Sequence, residues 1–325
     1  MTTYLMTKSQ ENISNYLKYE RYYDSAREAM KDFIEVVADM GLKDAPIMVF
    51  LPAYIGISPK EGSGIFDPII ELSKKSKIAF RFYKLHKDLS IDLEDVAKKI
   101  VSTNSNFILL KVNYFGFCDN REEELFNIVK NSRGILLEDN AHGFFSYLTK
   151  DKHFCDVTFF SLHKQFPFND GGMLLIENPE LADLEYRGSI EPPRDRNPWK
   201  YDFLKIAKVC RNNYKTIDSI IQKESELFKP LRPFSTIGNF VPQSYPIVLK
   251  KSDRFKVYLD LNDEGFGVTS LYHTLIDPIK QNDEYKETIE LSSKILNLPV
   301  HQDVDPNLYP ELVRLLADSC RKHLI

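Results

Sequence analysis

Residues 135–176 read ILLEDNAHGFFSYLTKDKHFCDVTFFSLHKQFPFNDGGMLLI, and this stretch decides the fold class. It contains three short apolar runs, at 135–138, 157–160 and 173–176, which polar or amphipathic stretches separate. Apolar runs of strand length that alternate with amphipathic segments are typical of a mostly parallel sheet flanked by helices. The stretch therefore predicts an α/β fold.

The same alternation extends through the first two thirds of the chain. Apolar runs at 47–51, 78–83 and 107–112 predict three further strands, and segments at 67–76, 92–102 and 121–131 predict helices between them. A helix is also predicted from Ala26, because Met30, Phe33, Val37 and Met40 follow at steps of three or four residues and share one face.

The last third of the chain has a different composition and pattern. A Pro- and Arg-rich stretch at 191–198 precedes a long helical pattern at 200–228, which predicts a domain boundary followed by a connecting helix. We therefore expect a large domain at 1–195, and the connecting helix with a small α/β domain at 196–325. The small domain is predicted to contain a strand at 245–249 and helices at 252–262, 285–296 and 306–323.

The composition excludes several classes of protein. The chain has 325 residues, 43% of them hydrophobic and 28% charged, with a net charge of −4 and both signs interspersed. This indicates a globular protein without a basic surface for nucleic acid. No apolar run approaches the roughly 20 residues that span a bilayer, and residues 1–15 lack a signal-peptide pattern, so we expect a cytoplasmic protein. The four cysteines are widely spaced and are expected to be reduced thiols without a metal.

Chemically informative residues follow two of the predicted strands. Asp139 and His142 come directly after the run at 135–138, and Ser161 and Lys164 come directly after the run at 157–160. Ligands of open α/β sheets bind at the carboxyl ends of the strands, so these positions are candidates for a site. Taken singly, Asp139 could equally cap a helix or pair with an arginine, and a lysine at a strand end is usually solvated.

Two further features belong to the same set. Ser25 precedes the predicted helix at Ala26 and has Glu28 three residues later, which is the pattern of a capping box and also of an anion site at a helix start. Gly171 and Gly172 precede the run at 173–176 and are consistent with a tight turn.

In combination, these residues favour pyridoxal phosphate chemistry. A lysine amine can hold the aldehyde of that cofactor as a Schiff base, and a carboxylate can keep the pyridine nitrogen protonated so that the ring accepts electrons. A helix N-terminus offers unpaired N–H groups and a positive dipole end to the phosphate.

The ordered motifs resemble those of the DegT/DnrJ/EryC1/StrS family of sugar aminotransferases, which are fold type I pyridoxal phosphate enzymes. YDSAREAM resembles the phosphate loop, FLPAY a proline-containing strand end, and LLEDNAHGFFS the acidic segment of that family. DVTFFSLHKQFPFNDGGMLLI resembles the lysine strand with its Gly-Gly turn. SYPIVLKKSDRF and LNLPVHQDV resemble the small-domain strand and the C-terminal motif, so the resemblance covers most of the chain.

The resemblance implies roles for eight residues. Lys164 would be the Schiff-base lysine and proton carrier, Asp139 the partner of the pyridine nitrogen, and His142 a neighbour of the 3-hydroxyl group. The remaining cofactor contacts would come from Ser161, Ser25, Ala26 and Arg27 at the phosphate and from Tyr54 at the ring.

The chain departs from the family pattern at three points. Ala26 and Arg27 replace the usual Gly and Thr of the phosphate loop, which suggests that the guanidinium binds part of the phosphate. Lys164 follows Ser161 by three residues, two fewer than is common. An aromatic residue often found near Tyr54 is replaced by Gly56.

The resemblance also implies a reaction and partners. An amino donor, expected to be glutamate, would aminate the cofactor, which would then aminate a keto sugar, expected to be nucleotide-linked, in surface polysaccharide or glycan biosynthesis. A homodimer with shared active sites is implied as well. Arg187, Arg194, Arg196, Tyr272 and His273 are further candidates for substrate contacts, outside the predicted site.

Three alternatives stay open. Ser161-Leu162-His163-Lys164 also resembles the motif of class V aminotransferases and cysteine desulfurases, although the chain lacks a cysteine on a suitable loop. A sugar 3-dehydratase is disfavoured because those enzymes have histidine in place of the lysine, and His163 makes the register worth testing. A non-catalytic module of the same fold is the third alternative.

Overall fold

The computed structural model describes residues 19–41, 46–57, 64–103, 105–224 and 226–325. Residues 1–15, from which the absence of a signal peptide was predicted, lie outside this part. The main element is a seven-stranded sheet in the spatial order β1-β7-β6-β5-β4-β2-β3. Its strands are β1 (Glu20–Tyr23), β2 (Ile47–Pro52), β3 (Ile78–Tyr83), β4 (Phe107–Val112), β5 (Ile135–Asp139), β6 (Val157–Ser161) and β7 (Gly172–Ile176).

The pairing of the strands is parallel from β3 to β6 and antiparallel at β7 and β1. Strands β6 and β7 are buried along their whole length, as expected for apolar runs covered on both faces. The six predicted strands and the mostly parallel sheet are therefore confirmed. Strand β1 was not predicted, because its sequence, ERYY, is polar and its register is set by pairing with β7.

Helices cover the sheet. Those of the first part are α1 (Ala26–Gly41), α2 (Phe66–Lys74), α3 (Leu93–Val101), α4 (Glu122–Asn131) and α5 (Phe144–Leu148). Met30, Phe33 and Val37 of α1 are buried as the spacing predicts, whereas Met40 is 60% exposed because it lies in the last turn, beyond the sheet contact. The start of α3 is fixed by Asp92, whose carboxylate accepts the N–H of Asp95 at 3.0 Å.

A three-stranded antiparallel sheet, in the order β10-β9-β8, follows the long helix α6 (Phe203–Ile221). Its strands are β8 (Phe228–Pro230), β9 (Ser244–Leu249) and β10 (Ile295–Pro299), and the helices around it are α7 (Arg254–Asp263), α8 (Asp277–Lys280), α9 (Lys286–Ser292) and α10 (Tyr309–Lys322). The division of the chain into domains at 195 and 196 stays a prediction.

Two predicted helices in this part are too long. The helix expected at 200–228 ends as α6 at Ile221, and Phe228 already belongs to β8. The helix expected at 285–296 is confined to α9, and its last two residues belong to β10. In both places an apolar segment pairs with β9 in the sheet, and tertiary pairing overrides a helical spacing in the sequence.

The sheet topology gathers the predicted site at one edge. Asp139 and Ser161 end the parallel strands β5 and β6, and Ser161 pairs with Gly172 at the start of antiparallel β7. Gly172 also pairs with Tyr23 at the end of β1, which brings the loop before α1 to the same edge. A Cβ atom at Gly172 would collide with the carbonyl oxygen of Ser25, so this close approach requires glycine.

Two further findings concern expectations from the sequence. All four cysteines are buried and free. Within the described ranges, no helix is both long enough and apolar enough to traverse a lipid bilayer.

Candidate active site

A cavity of about 400 Å³ lies at the sheet edge that carries Asp139, Ser161 and Ser25. It is bounded by the first turn of α1, the ends of β5 and β6, and the short turn after β6. Its lining residues are Ser25, Ala26, Arg27, Glu28, Met30, Gly64, Ile65, Asp139, Ala141, Phe159, Ser161, His163, Lys164 and Tyr272. Six of the eight predicted cofactor residues therefore line a single cavity, and the other two, His142 and Tyr54, lie beside it.

Lys164 ends a one-turn helix that follows β6, and its side-chain nitrogen Nζ lies 2.9 Å from Nε2 of His142. Nδ1 of His142 accepts the backbone N–H of Phe115 at 3.2 Å, which places the ring proton of the neutral imidazole on Nε2. Nε2–H can then donate to Lys164 only if the lysine is an uncharged amine. The geometry thus matches the neutral form of both groups.

The electrostatics agree with that assignment. Burial lowers the pKa of Lys164 from its usual range, and the nearby carboxylate of Asp139 opposes this only in part. Burial, together with the charges of Lys164 and His163, holds the pKa of His142 well below its usual value. An uncharged lysine amine is a nucleophile, whereas an ammonium is not.

Asp139 is 5% exposed and accepts one backbone hydrogen bond, from Ala141 to Oδ1 at 2.8 Å. Burial raises the pKa of this carboxyl from 3.8 to about 6, and the charge of Glu138 adds to the rise, while Ala141 and Lys164 act against it. A desolvated carboxylate with so few donors is stabilised by a cationic N–H group placed opposite it.

The other end of the cavity is the start of α1. Ser25 caps the helix, with Oγ accepting the N–H of Glu28 at 3.2 Å, and the first-turn N–H groups face an anion favourably. Arg27 lines the cavity, and its guanidinium lies 4.0 Å from the carboxylate of Asp67. Ser161 contributes a hydroxyl from the end of β6, 3.3 Å from Nδ1 of His163. This end of the cavity supplies N–H and hydroxyl groups and the guanidinium cation of Arg27.

An aromatic cluster forms the wall behind these residues. Tyr272 lines the cavity, and its ring packs 5.3 Å from those of Tyr54 and Tyr114 and 5.9 Å from that of Phe115. Tyr54 is fully buried beside Tyr272 and does not line the cavity, and its role at the cofactor ring stays a prediction. Tyr272 adopts a positive φ of 60°.

A buried charged network supports the ends of β4 and β5 behind Asp139. The ammonium of Lys111, which is 1% exposed, lies 2.5 Å from Glu138 and 3.0 Å from Glu122. Burial acts to raise the pKa of Glu138, but the charges of Lys111 and Lys150 outweigh it and hold the pKa at about 2. The network keeps Glu138 ionised next to Asp139, whose carboxyl has a raised pKa.

Two arginines that were candidates for substrate contacts form ion pairs with carboxylates. Arg196 lies 2.5 Å from Asp170 and 3.1 Å from Asp24, and so ties the Gly-Gly turn to the loop before α1. Arg187 pairs with Asp32 at 2.6 Å. Both form ion pairs near the sheet edge, and neither lines the cavity beside Lys164.

No family model matches the sequence, and no curated protein matches it either. Solved structures do match the fold. A DegT DnrJ EryC1 StrS aminotransferase from Brucella abortus is 15% identical, with 96% of this chain and 89% of that chain covered and a TM-score of 0.68. Helicobacter pylori PseC, an aminotransferase in pseudaminic acid biosynthesis, is 16% identical, with 97% and 91% covered and a TM-score of 0.71.

A third match is the Escherichia coli GDP-4-keto-6-deoxy-D-mannose-3-dehydratase with bound hydrated pyridoxal phosphate. It is 16% identical, with 97% of this chain and 92% of that chain covered and a TM-score of 0.69. At such identities the likeness establishes the fold. The fold predicted from the sequence motifs is therefore confirmed over nearly the whole chain.

Proposed function

We propose that this protein is a pyridoxal phosphate-dependent aminotransferase of the DegT/DnrJ/EryC1/StrS type. The observation that carries the proposal is a single cavity in which Lys164, Asp139 and the N-terminal turn of α1 meet. These groups are separated by up to 139 positions in the sequence, from Ser25 to Lys164, and come together only through the order of the strands.

The residues present fit the cofactor. In the part of the chain that the structure describes, the buried carboxyl of Asp139 accepts one hydrogen bond, has a raised pKa and forms no ion pair, so a protonated pyridine nitrogen would supply a cationic partner. Ser25, Ala26, Arg27 and Ser161 would hold the phosphate. The cavity volume of about 400 Å³ lies in the range of small-molecule sites.

Pyridoxal phosphate supplies an aldehyde for a lysine amine and a ring that accepts an electron pair. Lys164 would hold the cofactor through Nζ and, as a neutral amine, would move a proton at Nζ in the half-reaction with the donor and again in that with the acceptor. His142 orients that amine through Nε2–H and is itself fixed by the N–H of Phe115. Asp139 would keep the pyridine nitrogen protonated, because a cation opposite it would further stabilise its desolvated carboxylate.

For the substrates, we propose glutamate as the amino donor and a nucleotide-linked keto sugar as the acceptor, in surface polysaccharide or glycan biosynthesis. Similar structures include PseC, which acts in pseudaminic acid biosynthesis, and a dehydratase named for a GDP-linked keto sugar. We further propose that the working form is a cytoplasmic homodimer, for which light scattering should give twice the mass of 37.8 kDa.

The dehydratase alternative depends on whether His163 or Lys164 faces the reacting group. Both line the cavity, but His163 is exposed and lies 3.3 Å from the Ser161 hydroxyl, whereas the Lys164 amine lies 2.9 Å from Nε2 of the buried His142. This arrangement favours transamination over dehydration.

The test is the visible absorbance of the purified protein during titration with pyridoxal phosphate. The wild type should develop a band that L-glutamate bleaches, and Lys164→Ala should show neither change. Lys208→Ala replaces an exposed lysine of α6 outside the cavity and should behave as the wild type. A wild-type protein without a band, or with one that no amino donor bleaches, would contradict the proposed function.

A further inference from the structure

Gln243 joins the three-stranded sheet to the turn that carries Lys164. It directly precedes β9 and is half-buried, and its Nε2 donates to the main-chain carbonyl of Lys164 at 2.9 Å. Lys164 is the last residue of its one-turn helix, and the last carbonyls of a helix have no partner within the helix. The amide of Gln243 therefore supplies a hydrogen bond that the turn cannot make for itself.

A second hydrogen bond ties Gln243 to the residue that holds His142. The backbone N–H of Gln243 donates to the carbonyl of Phe115 at 2.8 Å, and the N–H of Phe115 donates to Nδ1 of His142 at 3.2 Å. Nε2 of His142 lies 2.9 Å from Nζ of Lys164. These residues thus form a closed ring of contacts that begins at the carbonyl of Lys164 and returns to its amine.

The backbone of Phe115 shows that its place in this ring is imposed by the surroundings. Phe115 is fully buried and has a φ of 57° and a ψ of 16°, a left-handed conformation that a bulky residue keeps only where its neighbours fix it. The carbonyl of Gly116, the next residue, accepts Oγ–H of Ser146 at 2.7 Å, and the same oxygen accepts the N–H of Val241 at 2.8 Å. The segment before β9 therefore fixes this turn at two points, Val241 and Gln243.

The charge state of the Lys164 amine depends on where the amine lies. Burial and the Nε2–H of His142 favour the uncharged amine, whereas the carboxylate of Asp139 favours the ammonium. The ring of His163 also acts on the amine by its charge, and Tyr272 lines the same cavity. Moving the amine by about 1 Å would break the contact with His142, since a donor–acceptor distance near 4 Å is no longer a hydrogen bond.

We propose that Gln243 is a positioning residue for Lys164, which keeps the amine against His142 and uncharged by holding both the main chain of the lysine and the turn at Phe115. The inference rests on the proposed function, since it explains how the chain maintains the nucleophile that the cofactor aldehyde requires. Gln243 bonds to carbonyl groups and not to the amine, so its effect passes through the backbone of Lys164 and through Phe115 to His142.

The experiment measures how fast limiting acetic anhydride acetylates Lys164 in the cofactor-free, full-length chain between pH 6 and pH 11. Only an uncharged amine reacts, and mass spectrometry compares the Lys164 peptide with that of exposed Lys208 in the same sample. Gln243→Met keeps the side-chain length and the backbone N–H but removes the amide. It should slow the acetylation of Lys164 about tenfold at pH 7, the effect of one lost hydrogen bond, and leave the rate at pH 11 unchanged.

Gln302→Met is the matched control. A cavity of about 710 Å³ is lined by Gln302 as well as by Gln243 and Lys164, but the Gln302 amide oxygen lies 3.9 Å from Sγ of Cys210 and does not hold the lysine. This variant should be acetylated at Lys164 as the wild type is. Gln243→Ala removes the same amide with a smaller side chain, so the test does not depend on whether methionine fits.

A merely structural role of Gln243 gives a different pH profile. If the turn only opened when the amide was lost, the amine would become more accessible and acetylation would be faster at every pH. The inference is overturned by that result, by wild-type rates in both Gln243 variants at pH 7, or by equal slowing in Gln302→Met.

The absorbance titration of the wild type keeps this inference separate from the proposed function. If glutamate bleaches the visible band but the Gln243 variants are acetylated normally, the positioning role fails and the aminotransferase stands. If the Gln243 variants show the expected pH profile but the wild type forms no band, the positioning role stands and the aminotransferase fails.

Discussion

Replacing Asp139 with asparagine should stabilise the cofactor-free protein while it removes the partner of the pyridine nitrogen. Asp139 is buried, and its carboxyl has a pKa of about 6 in the folded chain against an ordinary value of 3.8. The folded state therefore holds the proton more tightly than the unfolded state. Its relative stability is greatest below pH 3.8 and falls as the pH rises towards 6.

The size of the stability change follows from the pKa shift of Asp139. A difference of about two pH units at roughly 1.4 kcal/mol per unit makes the ionised carboxyl unfavourable by about 3 kcal/mol above pH 6. At pH 5 the penalty is roughly half as large, because most folded molecules are still protonated there. Asp139→Asn removes this penalty and keeps an oxygen to accept the Ala141 N–H.

Urea unfolding of the cofactor-free protein at pH 5 and pH 8 measures the free-energy cost of the ionised Asp139 carboxyl directly. We expect Asp139→Asn to raise the free energy of unfolding at both values, by about twice as much at pH 8. Asp156→Asn is the matched control, because Asp156 is equally buried but accepts from Lys130, Asn178 and the N–H of Leu136. That variant should destabilise the protein. Equal stability of wild type and Asp139→Asn at pH 8 would refute the assignment of a desolvated, under-bonded carboxyl.

Three other variants test the supports of the site. Gly172→Ala should weaken pyridoxal phosphate binding at least about tenfold, because its Cβ would displace the Ser25 carbonyl. Absorbance titration measures the affinity, and an unchanged value would contradict the close approach of Gly172 to Ser25. Lys111→Met should lower the free energy of unfolding by about 3–5 kcal/mol in urea, because Glu138 loses its buried partner; a loss under 1 kcal/mol would contradict the network. Arg27→Ala should weaken the binding of pyridoxal phosphate about tenfold or more but leave the affinity for pyridoxal, which has no phosphate, unchanged. Equal losses of affinity for both compounds would show that Arg27 does not bind the phosphate.

The central sheet was predictable because its strands are continuous apolar runs that are buried on both faces. The runs at 78–83 and 107–112 match β3 and β4 at both ends. The edge strand β1 and the small-sheet strand β10 were not predictable, since one is polar and the other follows a helical pattern without a break. In both, pairing with a distant strand decides the structure.

Most of the site could be predicted because its residues directly follow strands or precede a helix, where local sequence marks the position. Tyr272 lies more than 100 positions after Lys164 and was only one of several candidates for substrate contacts, because only the tertiary fold brings it to the cavity. The carboxylate partners of Arg187 and Arg196 could not be predicted either, because only the tertiary fold brings them together. A charged side chain in a linker shows its role only when its counter-ion is located.

The covalent attachment of pyridoxal phosphate to Lys164 tests the central claim most directly. The loaded protein is reduced with borohydride and digested, and the modified peptide is identified by mass spectrometry, with and without prior incubation with L-glutamate. We expect one modification per chain, at Lys164, that prior glutamate largely prevents because the cofactor then leaves the lysine as its amine form. Modification spread over surface lysines, or none at Lys164, would contradict the account.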